Sequence, residues 1–182
     1  MKILTTPDPI LTQLAKPVAK IDKKVLEFIE EMKKTLEATQ NPKGVGLAAP
    51  QIGKPWRIFL ARPILSSKTA KIWVFINPEI IFRSKEMTDG VPRKGNKLEG
   101  CLSIPGIWGY IRRHQTIKLR YKTPNNETRT KKFSGFMSTI IQHEVDHLNG
   151  HLFPAHVLEQ KGKFYQIKKD KEGKEVLEEV EI

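Results

Sequence analysis

The segment His143-Glu144-Val145-Asp146-His147 sets two imidazoles four residues apart, with a carboxylic acid beside the first. Four residues in a helix make a little over one turn, so both rings emerge on one face and can grip a single ion. Glu144, next to the first ring, can handle the proton of an activated water without ligating the metal itself. Phe136, Ile140, His143 and His147 fall on one stripe at helical spacing, which turns the histidines toward the apolar side. Buried imidazoles need partners, and a metal supplies one. A structural site would close with a fourth protein ligand, whereas a catalytic site keeps three and leaves a position open. The only soft ligand in the chain is its single cysteine, Cys101, in Leu98-Glu99-Gly100-Cys101-Leu102-Ser103. One cysteine with two histidines is a catalytic donor set, suited to Fe(II), Zn(II), Ni(II) or Co(II). Direct attack by Cys101 with a histidine as base is the weaker chemistry, because a thiolate committed to a metal is a poor nucleophile.

The elements that must position these residues can be read from periodicity and punctuation. The histidine pair sits in a predicted helix from Gly135 to Leu148, with Ser134 as N-cap and Asn149-Gly150 as the C-terminal stop. A second helix is predicted from Lys23 to Thr39. Val25, Leu26, Ile29, Met32 and Leu36 form its apolar stripe, Asp22 caps it and Asn41-Pro42 ends it. Lys43 to Gly53 reads as a glycine-containing loop. Strands are predicted at Arg57–Ala61, Ile72–Ile76 and Glu79–Arg83, followed by a long polar loop from Ser84 to Leu98. Thr116–Lys122 alternates Ile117, Leu119 and Tyr121 inward with Lys118, Arg120 and Lys122 outward, and turns at Pro124-Asn125-Asn126 into Glu127–Phe133. The last twenty or so residues fit a hairpin around Lys171-Glu172-Gly173 or a frayed helix. Trp56, Trp73 and Trp108 are expected in the core, Trp108 being a candidate wall of a cleft.

No linker or repeat divides the 182 residues, so one domain, 1–182, is expected, with 159–182 left open in structure. The fold class expected is α+β, antiparallel sheets packed around a central metal-binding helix. No apolar run approaches the roughly 18 residues of a membrane span, and the first residues resemble neither a secretory signal nor a transit peptide. With its one thiol, the chain reads as cytoplasmic. The net charge is +12, from 32 basic and 20 acidic residues. Such a surface draws anionic partners, RNA above all, or simply keeps the protein soluble, since no aromatic interleaving or nucleic-acid motif accompanies the charge.

Three segments in order carry a family resemblance: Gly44-Val45-Gly46-Leu47-Ala48-Ala49-Pro50-Gln51, Glu99-Gly100-Cys101-Leu102-Ser103, and the His143–His147 helix. Together they resemble the signature motifs of peptide deformylases, over a stretch from about Ile3 to Phe153. The resemblance implies a metal-dependent hydrolase that removes formyl groups from the N-terminal formyl-methionine of newly made proteins. Cys101, His143 and His147 would hold the metal, Fe(II) in the cell with zinc, nickel or cobalt as replacements. Glu144 would be the acid and base, and the Gln51 amide and the Leu102 N–H would stabilise the oxyanion. The substrate would add as a strand near Gly46, its methionine side chain meeting Val45, Phe136, Thr139 and Ile140. Glu99, Arg113 and Asp146 would orient the ligands. His114, His151 and His156 lack ligand spacing and read as exposed or structural.

The expected partners are formyl-methionyl nascent peptides and, transiently, the ribosome. There is no membrane partner, and the chain is expected to be a monomer. The tail lacks a convincing basic amphipathic helix, so docking through it is not expected. Ser84–Leu98 resembles the longer loops of deformylases with an insertion before the cysteine motif. Two other readings stand beside this one. A metallopeptidase of the two-histidine helix class would need a third ligand downstream, where Glu159 is the lone candidate. An RNA-binding module would use the metal only structurally.

Overall fold

Asp22 accepts a hydrogen bond from the Val25 N–H at 3.1 Å and starts α1, Lys23–Ala38, as its sequence predicts. Val25, Phe28, Ile29, Met32 and Leu36 form its buried face. Leu26, expected in that stripe, is 39% exposed: at about 100° per residue it swings past the interface, and Phe28 takes its place. In this computed structural model residues 1–40, 43–63, 71–88, 98–169, 172–173 and 175–181 are described. Asn41-Pro42, most of the insertion-like loop (89–97) and Lys171 lie outside them.

The strands in chain order are β1 Gly46–Ala48, β2 Ile58–Ala61, β3 Trp73–Arg83, β4 Met87–Thr88, β5 Leu98–Cys101, β6 Ile104–Tyr110, β7 Arg113–His114, β8 Thr116–Lys122, β9 Thr128–Ser134, β10 Phe164–Lys169 and β11 Glu175–Val180. They form a five-stranded sheet in the order β1-β2-β3-β8-β9, a four-stranded sheet β11-β10-β6-β5 and the pair β4-β7. Every pairing is antiparallel. The two strands predicted between Ile72 and Arg83 are one. Asn77 adopts a φ of 49° before Pro78, and the β3–β8 register slips between Ile76 and Glu79, so the chain bends there without ending. The predicted loop from Lys43 to Gly53 is partly regular: it contains β1 and a 3-10 turn, Ala49–Ile52. Of the two readings of the tail, the hairpin is the observed one, β10 pairing with β11 and extending the second sheet through β6.

Two further helices follow, α2 Phe136–Leu148 and α3 Phe153–Glu159. Ser134 does not cap α2. It ends β9, and Gly135 takes the cap position at φ 61°, ψ −137°, a conformation open to glycine alone. The helix stops at Asn149-Gly150 as predicted, Gly150 having a φ of 73°.

α1 and α2 cover opposite faces of the five-stranded sheet. Ile58 and Leu60 of β2 join Leu47 and Ile76 under α1, while Phe59 and Ala61 join Phe75 and Leu119 under α2. A strand covered on both sides is apolar throughout, and all four residues of β2 are fully buried. β8 is covered on one side only, so it alternates: Ile117, Leu119 and Tyr121 are buried, Lys118 and Arg120 exposed. Trp56, Trp73 and Trp108 are half-buried rather than core.

Candidate metal centre

β5 runs toward α2 and delivers two side chains from one face, because residues two apart in a strand point the same way. Cys101 places its Sγ 3.1 Å from Nε2 of His147. Glu99 accepts from Nδ1 of His143 at 2.6 Å. Gly100 between them faces the other side, where a Cβ would lie 2.7 Å from the Trp108 ring, its register partner on β6. Trp108 packs its ring over Gly100. On α2 the rings of His143 and His147 stand 5.0 Å apart between centroids. One ligand atom each from Cys101, His143 and His147 lies within 4.8 Å of the others, and among the described residues no fourth ligand joins this group.

The donor set fits a divalent ion. Burial alone raises a thiol, but the imidazoles of His147 and His143 outweigh it and draw Cys101 down to about 5, so the thiolate that a metal needs is available. Burial works against a charged His143, yet Glu99 and Cys101 hold its pKa well above the usual value, so an arriving cation displaces a proton. Nδ1 of His147 and Oε2 of Glu144 are buried and have no hydrogen-bond partner in the protein. A buried carboxyl oxygen left without a partner beside His143, His147 and Cys101 marks a place where something polar is bound.

Glu144 is 3% exposed. Burial raises its carboxyl to about 7 against the pull of His143 and His147. Its carboxylate rests on Gly46: a Cβ at that position would come 2.1 Å from Oε1. Glycine is thus required at 46 by the acid beneath it, a reason the sequence does not display. Gln51, in the 3-10 turn, accepts from the Ala48 N–H at 2.8 Å through Oε1. Its Nε2 therefore faces the centre, donating to Ser103 Oγ at 3.1 Å and lying 3.7 Å from Cys101 Sγ. Ser103 is the participant that sequence reasoning missed. It is fully buried, and its N–H points at Cys101 Sγ from 3.4 Å. Leu102, between them, packs on the α1 cluster. Val45, Phe136 and Ile140 meet in the cluster under α2. Thr139 is buried beside them, with an unpartnered hydroxyl.

Behind the ligands runs a chain of charges. Arg113 on β7 grips both oxygens of Glu99, Nε to Oε2 at 2.7 Å and Nη2 to Oε1 at 2.6 Å, and donates from Nη1 to Asp146 at 2.8 Å. Burial opposes ionisation of Glu99, but Arg113 and His143 hold its carboxyl well below the usual range. Asp146 continues to His156 of α3 at 3.0 Å, and His156 to Glu159 at 3.2 Å. His156 is thus structural, as is His114, whose Nδ1 lies 2.7 Å from the Ser84 carbonyl. His151 is exposed. A surface cavity of about 480 Å³, lined in part by Ile104, Ile107, Leu152 and Pro154, shares no residue with the predicted substrate set.

Three candidate ligands, a buried acid with a raised pKa beside them and an antiparallel scaffold fit the class of metal-dependent hydrolases. A sequence model of the family described as polypeptide deformylase matches residues 1–163. The peptide deformylase of Rhodopirellula baltica is 34% identical over 181 residues, covering 96% of this chain and 84% of that protein. That of Mesorhizobium japonicum is 34% identical over 174 residues, 93% of each. The crystal structure of peptide deformylase from Thermotoga maritima superposes with a TM-score of 0.74 at 35% identity, covering 86% of this chain and 96% of that one. The chain belongs to the peptide deformylase family.

Proposed function

We propose that the chain hydrolyses the N-formyl group of formyl-methionine at the start of newly made proteins, releasing formate and a free amine. The observation that carries this reading is the meeting of Cys101, His143 and His147 beside the buried Glu144. Those three residues would hold the metal, with Fe(II) as the ion in the cell and Zn(II), Ni(II) or Co(II) as replacements. Once bound, the ion polarises the formyl carbonyl and acidifies water near neutral pH.

Glu144 takes the proton of the attacking water on its carboxylate and returns it to the amine nitrogen, which leaves poorly as an anion. Burial keeps the proton affinity of this carboxyl above that of an exposed one, which suits both halves of that transfer. Gln51 Nε2 and the Leu102 N–H donate to the formyl oxygen as charge develops on it. Each donor contributes on the order of 3 kcal/mol if typical. The fixed Oε1 contact to Ala48 supports this role for Gln51, because it turns the donor end toward Cys101 and Ser103 at the centre. Glu99, Arg113 and Asp146 hold the first imidazole in its tautomer and tilt.

The substrate peptide adds as a strand beside Gly46. β1 is the outer strand of its sheet. Arg62 N–H donates to the Val45 carbonyl, so by the alternation of antiparallel pairing the N–H and C=O of Gly46 turn away from β2. Val45, Phe136, Thr139 and Ile140 receive the methionine side chain. The same reading expects a cytoplasmic monomer that meets nascent chains in transient contact with the ribosome. No helix among the described residues is long and apolar enough to cross a membrane.

The test is formate release from a formyl-methionyl peptide by protein purified without oxygen, with metal analysis. Cys101→Ala is expected to lose both metal and activity. Retained metal with cleavage of internal peptide bonds would point to the metallopeptidase reading. That reading is disfavoured because its only candidate ligand, Glu159, lies exposed against His156.

A further inference from the structure

α1 covers the outer face of the five-stranded sheet over β1, β2 and the start of β3, and among the described residues no helix packs on the β8–β9 half of that face. The pairing register lays out what this half presents. Phe82 of β3, Lys118 of β8 and Lys132 of β9 stand in one row. Glu79, Arg120 and Thr130 form the next, and Lys122 and Thr128 follow. Along β8 the cations recur about every 6.8 Å, two residues of strand rise. The acid in these rows is already matched, Glu79 by Arg120. Lys118, Lys122 and Lys132 have no carboxylate partner among the described residues. Phe82 is 48% exposed, with the Lys118 ammonium 5.9 Å from its ring centre.

We infer that this bare half-face is a docking surface for single-stranded RNA. Unmatched cations on neighbouring strands neutralise phosphates, and the half-exposed Phe82 ring beside Lys118 offers a base a stacking partner. The hydroxyls of Thr128 and Thr130 between the cations suit phosphate and ribose oxygens. An anionic bilayer would want a continuous apolar stripe under the lysines, and here the exposed apolar residues on β3 are Ile81 and Phe82 alone among the described residues. The surface lies on the opposite side of the sheet from α2, so occupation leaves the metal centre open.

The experiment measures fluorescence anisotropy of a labelled oligouridylate of about 12 nucleotides with the metal-loaded enzyme at about 50 and about 200 mM salt. Three to four phosphate contacts predict a log–log salt slope of about −2 to −3, or about 20- to 50-fold weaker binding across that range. Lys118→Glu with Lys132→Glu is expected to weaken binding at least about tenfold and flatten the slope by about 1.4. Phe82→Ala should weaken it about tenfold with the slope kept. Lys20→Glu with Lys24→Glu, on and beside α1, should leave binding unchanged. All variants should melt like the parent and hydrolyse formyl peptide at its rate. Absence of saturable binding would overturn the inference, as would equal effects of the two lysine pairs, an unchanged affinity in Phe82→Ala, or capture of phosphatidylserine vesicles in place of RNA.

Discussion

Two helices pack on opposite faces of one sheet, and they bury different chemistry. α1 buries Val25, Phe28, Ile29, Met32 and Leu36, with Thr35 the one polar group among them. α2 buries Ser138, Thr139, Gln142, Glu144 and His147 alongside Ile140, Ile141, Val145 and Leu148. An acid and an imidazole inside a core cost stability unless each is paired, and around α2 two such atoms are orphaned. α1 therefore anchors the sheet, while α2 spends part of that stability to hold reactive groups out of water.

Four substitutions test this division. Glu144→Gln should lower kcat/KM on a formyl-methionyl peptide by about 10²–10⁴-fold, the largest effect outside the ligands. The same change should remove a pH-dependent burden. The folded chain keeps the Glu144 proton up to about 7, while the unfolded chain releases it from about 4.5. The unfolded state therefore binds fewer protons between those values. The Glu144 contribution to the stability of the chelator-treated parent should fall as pH rises through that window, by on the order of 3 kcal/mol, opposed above about 5 by Cys101, whose folded thiol releases its proton there. Denaturant melts across the window should show the Glu144 part as the difference in slope between parent and variant. A slope unchanged in the variant would break the contrast between the helices.

Arg113→Met strands Glu99 in the interior, and about 3–5 kcal/mol of stability should go with it. Metal titration should show affinity weaker by about 10- to 100-fold. Met32→Ala empties a fully buried site under α1 and should cost about 2–5 kcal/mol in denaturation, while kcat/KM per folded molecule stays at the parent value. A parallel fall in kcat/KM would place α1 in the catalytic machinery after all. Asp22→Ala removes the cap of α1 and should cost about 1 kcal/mol with no kinetic effect.

Where the covering of an element is simple, the sequence announces it. α1, the β8–β9 hairpin and α2 all follow from period and punctuation, and so does the convergence of Cys101 with His143 and His147. What stayed hidden depends on contacts made at a distance. β6, with Pro105, Gly106 and Gly109, reads as loop, yet Gly109 is needed because a Cβ there would lie 2.4 Å from Val157 of α3. β5 is four residues long and takes its strand character from partners rather than composition. α3, seven residues opening on Phe153-Pro154, is too short for a periodic signal. Ser103 looks like any serine after a cysteine until Gln51 is seen beside it. Gly46 is one glycine of its loop until the Glu144 carboxyl is seen packed against it.

Glu99 holds Nδ1 of His143 and two nitrogens of Arg113 with protein atoms alone. The first imidazole is thereby braced from β5, and β5 in turn from β7, so the tilt of the ring is set by the sheet as well as by its own helix. A change far along either strand would reach the centre as a rotation of one ring.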